Sequence, residues 1–195
     1  MDSKREDLVA AAKDLLWEVG YGAMSPRKIL DASGAGQGSL YHHFSGKRAI
    51  AAAALAEVDV EMRAAFGRFL QADLPPLDRV RRFLTEKRDG LKGCRLGRLA
   101  NETAIADDVI RRPIARFFAH VEETLAAALA EARDRGDIPK AADTGGLAVA
   151  LVAVVQGGYV LSRIHRDGGH MRQACAGALA MLDAIATGEK RRKKS

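Results

Sequence analysis

The chain has 195 residues, of which 48% are hydrophobic and 29% are charged, and it carries a net charge of +6 at pH 7. These values are typical of a soluble globular protein that is large enough for a hydrophobic core, and they exclude a disordered or fibrous chain. Residues 189–195 hold five basic residues and one acidic residue, a net +4 of the +6, so we expect a basic disordered tail there.

The cysteine content and the terminal residues indicate a cytoplasmic protein. Cys94 and Cys175 are too far apart in sequence for a disulfide framework or a metal motif. The N-terminus is polar, which argues against a signal peptide. The longest apolar run, Gly145–Val155, has eleven residues and is too short to cross a bilayer. We therefore expect reduced thiols and no membrane association.

The first 70 residues predict four helices. Apolar residues recur every three or four positions from Ser3 to Val19. Ser25 is a good N-cap and Pro26 suits the first turn of a second helix, which the segment 33–36 (SGAG) ends. A short third helix covers Gln37–Phe44, and a fourth runs from about Lys47 to Leu70.

The rest of the chain predicts five further helices and no strand. Two prolines at 75 and 76 break the chain, and the predicted helices that follow are Leu77–Gly90, a short one at 93–100, Asp107–Arg135, Asp143–His165 and Gly169–Thr187. The fold class is therefore all-α with about nine helices. We divide it into a head (residues 1–46), a helical body (47–188) and the basic tail (189–195).

The predicted third helix is polar around most of its circumference. Only Leu40 and Phe44 are large and apolar, and such a helix is poorly stabilised by burial alone. A helix, a glycine-rich turn and a short polar helix are typical of a helix-turn-helix, whose second helix enters the DNA major groove. An exposed amide there can bind adenine, hydroxyl and imidazole groups can reach phosphates or base edges, and a glycine permits close approach; the candidates are Gln37, Gly38, Ser39, Tyr41, His42, His43 and, at the next helix, Lys47.

The segment 34–47 (GAGQGSLYHHFSGK) resembles the DNA-binding signature of the TetR family of regulators, and the upstream segment 20–25 agrees. The resemblance implies a three-helix head that binds a pseudo-palindromic operator. It also implies a homodimer built on the last two long helices and an effector pocket in the body. It matches Arg27, Gln37, Ser39 and Tyr41 to positions that contact bases, and Ser25, Tyr41, His43 and Lys47 to positions near phosphates.

Two positions depart from the family pattern. Gly36 stands where a serine or threonine cap is common, so the third helix lacks a capping oxygen, worth about 1 kcal/mol. His42 replaces a common tyrosine or tryptophan. In the body, the segments 93–102 and 156–159 resemble the subgroup of TetR-type regulators named after LmrA and YxaF.

The body is expected to hold an apolar or aromatic effector, because small-molecule sites are mostly apolar with a few polar groups. The candidate lining residues are Phe66, Phe83, Leu99, Asn101, Phe117, His120, Val121, Gln156 and Tyr159. The two last helices, at about 143–165 and 169–187, are too apolar for full exposure and are expected to pair with those of a second copy. Val155 and Leu179 are predicted to lie in the middle of that face.

Other functions are open to this sequence. A helical enzyme or ligand carrier is one, although no set of nucleophile, base and orienting residue indicates catalysis. An architectural DNA-binding protein that uses the basic tail is another. His42 and His43 point about 100° apart on a helix, so we expect no metal site, and no cofactor is indicated. A redox-sensing role for Cys94, beside Arg95 and Arg98, is a minor alternative to simple burial.

Overall fold

The structure, a computed structural model, describes residues 3–70 and 73–192. In that part of the chain nine α-helices and two 3-10 helices form, without a β-strand. The α-helices are α1 (Ser3–Glu18), α2 (Gly20–Ala23), α3 (Pro26–Ser33), α4 (Gln37–His43), α5 (Lys47–Phe69), α6 (Pro76–Thr85), α7 (Asp108–Asp134), α8 (Thr144–His165) and α9 (Gly169–Arg192). The 3-10 helices are Gly97–Asn101 and Thr103–Ala106. The predicted all-α class is confirmed.

The predicted boundaries around α3 are confirmed by their capping geometry. The Ser25 hydroxyl accepts a hydrogen bond from the Lys28 amide at 3.3 Å, and Pro26 occupies the first turn. At the other end Gly34 adopts a left-handed conformation with φ +67°, and its amide donates to the Leu30 carbonyl. Glycine tolerates this conformation without strain, so the turn into α4 is tight.

Two of the predicted helices differ in the structure, and one additional helix is present. The one-turn helix α2 was not predicted. Helix α6 ends at Thr85 rather than Gly90, because Glu86 is extended and the Arg88 guanidinium donates to the carbonyls of Phe83, at 2.5 Å, and Glu86. In the segment 93–100, where one α-helix was predicted, the structure instead begins the 3-10 helix Gly97–Asn101.

The chain forms two packing units, and the first consists of residues up to Met62 together with Cys94–Phe117. The predicted head, residues 1–46, falls within this first unit, which extends beyond the head. Its interior is made of side chains that are almost inaccessible to solvent. They are Leu8, Leu16, Met24, Ile29, Leu40, Ile50, Leu55, Leu96, Leu99 and Ile110.

The second unit consists of Arg63–Gly93 and the chain from Phe118 onward. Within it α8 and α9 pack side by side. The helices approach closely at Gly158, where an added Cβ would stand 2.9 Å from the Met171 sulfur, too near for a side chain. The buried Ser162 hydroxyl accepts a hydrogen bond from the Met171 amide at 3.0 Å. These contacts make α8 and α9 an antiparallel helical hairpin.

The faces of α8 differ from the prediction. Val155 is only 3% exposed and packs inside the second unit, so its predicted place in the middle of a dimer face is wrong. Leu179 is half-buried. The large apolar side chains that the hairpin exposes are Val149, Val160, Leu161, Ile164 and Met181. Because α8 is apolar all round, its sequence could not indicate which side faces inward.

Two further properties of the hairpin bear on the sequence predictions. Among the described residues α8 alone is long and apolar enough to pass for a membrane span, with a mean hydropathy of 1.7 over 18 residues. This is weak support for a span, because a core helix of a soluble protein passes the same test. Helix α9 continues to Arg192, so residues 189–192 of the predicted disordered tail are helical. The remaining residues, 193–195, lie outside the described part.

The buried thiol of Cys175 makes a testable contribution to stability. Burial raises the pKa of Cys175 above its ordinary value of 9.0, an effect that the charge of Arg88 partly offsets. The folded state therefore favours the neutral thiol, and this stability is present below pH 9 and is lost as the pH rises further. The free energy of unfolding, measured with urea, should fall more between pH 7.5 and pH 9.8 in the parent than in Cys175→Ala. Equal losses would contradict this assignment.

Candidate nucleic-acid interface

Residues four positions apart share a face of α4, and the face that carries most of its polar residues is exposed. Leu40 and Phe44 are buried in the first unit, whereas the pairs Gln37 with Tyr41 and Gly38 with His42 are exposed. Tyr41 is 56% exposed, although tyrosine usually has part of its ring covered. An added Cβ at Gly38 would meet nothing within 4 Å, so no packing inside the unit requires a glycine there. The exposed face is therefore available to an external partner.

Ser39 and His43 lie on the flank of α4 rather than on its exposed face. The Ser39 oxygen is buried and has no hydrogen-bond partner, so a contact from it to a base would need rotation about its χ1 angle. The His43 ring packs edge-on against His42 and Phe44, with centroids 4.8 and 6.5 Å away. The N-cap residue of α4 is Gly36, which provides no side-chain cap, as the sequence predicted.

Exposed cations flank this face on α3. The Arg27 side chain is 92% exposed, and its Nε lies 3.9 Å from the Asp31 carboxylate. Lys28, which no sequence pattern singled out, is exposed and donates to the Ala23 carbonyl at 2.9 Å. Both carry positive charge next to α4, where a polyanion would be attracted.

Lys47 at the start of α5 is held by the turn that precedes α3. Its ammonium donates to the Gly22 carbonyl at 3.2 Å and lies 4.3 Å from the centre of the Tyr21 ring. An ammonium has three protons, so these contacts leave it able to bind a phosphate as well. Lys47 therefore has a structural contact in addition to the role predicted for it.

Residues distant in sequence complete the surroundings of the site. Glu102 accepts hydrogen bonds from the amides of Tyr21 and Gly22, at 3.1 and 2.7 Å. Arg48 donates twice to Asp107, at 2.5 and 2.8 Å, and this hydrogen bonding lowers the pKa of Asp107 and raises that of Arg48. No local pattern pointed to these contacts, since each joins residues 59 to 81 positions apart.

Comparison with known proteins identifies the class of this site. Residues 8–54 match the family described as bacterial regulatory proteins, tetR family, and residues 76–178, more than half of the chain, match the tetracyclin repressor-like C-terminal domain. The chain belongs to the TetR family of transcriptional regulators. It is therefore a DNA-binding regulator rather than an enzyme, and α3, the turn and α4 are its helix-turn-helix.

Relatives within the TetR family match along most of the chain. The HTH-type transcriptional repressor DhaR of Mycobacterium sp. (strain GP1) is 27% identical, covering 84% of each chain. The HTH-type regulator YxaF of Bacillus subtilis (strain 168) is 26% identical, covering 84% of this chain and 86% of its own. A TetR-family regulator from Agrobacterium tumefaciens has the same fold, with a TM-score of 0.81 at 20% identity, covering 94% of this chain and 98% of that one. The LmrA/YxaF subgroup stays a prediction.

The predicted effector residues of this TetR-family chain fall into two groups. Leu99, Asn101 and Phe117 belong to the first unit, where Asn101 is exposed. The other six belong to the second unit. There the Phe66 ring centre lies 6.0 Å from those of both Phe83 and His120, nearly perpendicular to each.

The remaining members of the second group are Val121, which is buried, and Gln156 and Tyr159, which are half-buried on α8. A cleft of about 410 Å³ opens elsewhere in this unit, between residues 84–88 and α9, and none of the nine predicted effector residues lines it.

Among the described residues no three His, Cys, Asp or Glu side chains converge on a possible metal site.

Proposed function

We propose that this TetR-family regulator is a cytoplasmic repressor that binds a pseudo-palindromic operator as a homodimer and is released by a small apolar or aromatic effector. The observation that carries the proposal is the exposed polar face of α4 next to the exposed cations Arg27 and Lys28 of α3. A buried helix would present apolar groups there, and a merely solvated one would need no flanking positive charge. Repression is supported by the name of the relative DhaR, a transcriptional repressor.

The proposed contacts divide by chemistry. The Gln37 amide suits a bidentate contact to adenine, and Arg27 suits guanine or phosphate. Tyr41, His42 and His43 can donate to base edges or phosphates, and the exposed backbone at Gly38 permits close approach. Ser25 and Lys47 contribute near the phosphate backbone, which fixes the register of the head without reading sequence.

The homodimer is supported by the exposed apolar side chains of the α8–α9 hairpin. Val149, Val160 and Ile164 follow the helical period and share one face of α8. Met181 on α9 is 71% exposed, and an apolar surface of this kind usually marks an interface. A two-fold axis through the hairpin would bury these residues against their own copies.

The effector site is supported by the aromatic group around Phe66 in the second unit. Aromatic rings with one imidazole among them match the expected chemistry of an apolar site with a few polar groups. Effector and operator would compete because each prefers a different state of the dimer, so the response depends on the difference in affinity.

Selection of bound sequences from random duplex DNA at raised salt tests this function. We expect enrichment of a pseudo-palindrome with half-sites about one helical turn, roughly 34–36 Å, apart. Adding small aromatic molecules one at a time should identify one that releases the DNA. Binding without sequence enrichment, or binding that disappears uniformly with salt, would support an architectural DNA-binding protein instead.

A further inference from the structure

The carboxylate of Glu102 holds the one-turn helix α2 by two adjacent backbone amides. Oε1 accepts from Tyr21 at 3.1 Å and Oε2 from Gly22 at 2.7 Å. Tyr21, Gly22 and Glu102 all belong to the first unit, and Glu102 lies between the two 3-10 helices. Hydrogen bonds to an ionised acceptor are about twice as strong as neutral ones, and the first amides of a helix have no partner within it.

The fit between Glu102 and α2 requires glycine at position 20. Gly20 has φ +83°, a conformation that other residues rarely adopt. A Cβ added there would collide with Oε1 of Glu102. Backbone conformation and carboxylate therefore depend on each other at this position.

A basic residue holds the same turn from the other side. The backbone N–H of Gly22 donates to Glu102, and the backbone carbonyl of Gly22 accepts from Lys47. The chain then passes through Met24, which is 1% exposed, to Ser25, the cap of α3. The orientation of α2 thus determines where α3 begins.

We propose that Glu102 is a positioning residue for DNA recognition, a role that rests on the proposed operator binding. Its carboxylate fixes α2 and so fixes the orientation of α3 and α4 within the first unit. Without it, two backbone amides lose a charged acceptor and α2 can fray. Glu102 itself contacts no DNA in this proposal.

The test compares Glu102→Ala and Glu102→Gln with the parent and with Glu123→Ala, a control at an exposed position of α7. Affinity is measured for the selected operator and for random duplex DNA. Glu102→Ala should lose at least about tenfold in operator affinity, which is less than the full strength of two charged hydrogen bonds because these contacts only position the helices that bind DNA. The loss for random DNA should be much smaller. Glu102→Gln keeps one acceptor oxygen, so its operator affinity should lie between those of the parent and Glu102→Ala. A merely destabilised protein would lose both affinities in proportion.

Amide hydrogen exchange gives a second measurement that needs no DNA. The amides of Tyr21 and Gly22 should exchange about tenfold faster in Glu102→Ala, with buried amides of α5 unchanged. Gly20→Ala should resemble Glu102→Ala, and the double variant should be little worse than either, since both remove the same contact. If Glu102→Ala does not fold, Glu102→Gln carries the comparison.

Two results would overturn the proposal in distinguishable ways. Parental operator binding with an unchanged ratio of specific to random affinity in both Glu102 variants would exclude the positioning role alone. A parent that shows no sequence preference would exclude the proposed function and the positioning role together.

Discussion

Ile164→Glu is expected to turn the proposed dimer into a monomer and to reduce operator affinity by at least about 100-fold. Ile164 is 67% exposed on the apolar face of α8, so the substitution should not disturb the protomer. Across a two-fold axis it would bury two like charges, which costs several kcal/mol, and 2.7 kcal/mol already corresponds to about 100-fold. A monomer has one head, which makes too few contacts for tight specific binding.

Sedimentation at micromolar concentration and binding to the selected operator measure this effect. Met181→Glu on α9 should have the same effect as Ile164→Glu. Ala127→Glu, at an exposed position of α7, is the matched control and should change neither measurement. Val155→Asp should instead unfold or aggregate the chain, because Val155 is buried within the protomer. A parent that is monomeric and binds a single half-site tightly would refute the proposed dimer.

Substitutions on α4 and at the start of α5 are expected to give the second large effect, with a different signature for each residue. Gln37→Ala should lose about 1–3 kcal/mol of discrimination at one base pair, up to roughly 100-fold, with other positions unaffected. Tyr41→Ala should weaken binding without unfolding, since its ring is 56% exposed. Lys47→Ala should weaken binding to all sequences and lower the salt slope by about one unit.

Repeating the sequence selection with each variant, together with a salt titration, separates these signatures. Lys140→Ala removes an exposed cation from the second unit and should change neither measurement. Lys47 also holds the Gly22 carbonyl, so Lys47→Arg, which keeps the charge, shows how much of the loss comes from that contact. Parental binding by Gln37→Ala, Tyr41→Ala and Lys47→Ala alike would mean that α4 does not enter the groove.

Local patterns were sufficient to predict the helix-turn-helix. The Ser25 cap, Pro26 and Gly34 act over three or four residues, and the structure has the hydrogen bonds that these residues predict. The period of buried Leu40 and Phe44 likewise determined the exposed face of α4. Such features depend only on neighbours in sequence, so a single chain reveals them.

Contacts between distant residues could not be predicted in the same way. The end of α6 depends on where the Arg88 guanidinium folds back. The inward face of α8 depends on α9, because a helix that is apolar all round has no preferred side, and Val155 was misplaced for that reason. The pairing of Glu102 with Gly22 spans 80 residues, and no spacing in the sequence indicates it.

The hairpin of α8 and α9 also affects the timing of assembly in the cell. Its connection is only three residues long, Arg166–Gly168, so its contacts are local and it can form rapidly once both helices are available. Both helices, however, come after Phe117, the last residue of the first unit. At about 5–20 residues per second, ribosomes need roughly 4–15 s to extend the chain from Phe117 to Arg192. If the hairpin is the dimer interface, each head can fold several seconds before its chain can find a partner, and only chains extended through α9 can compete for the operator.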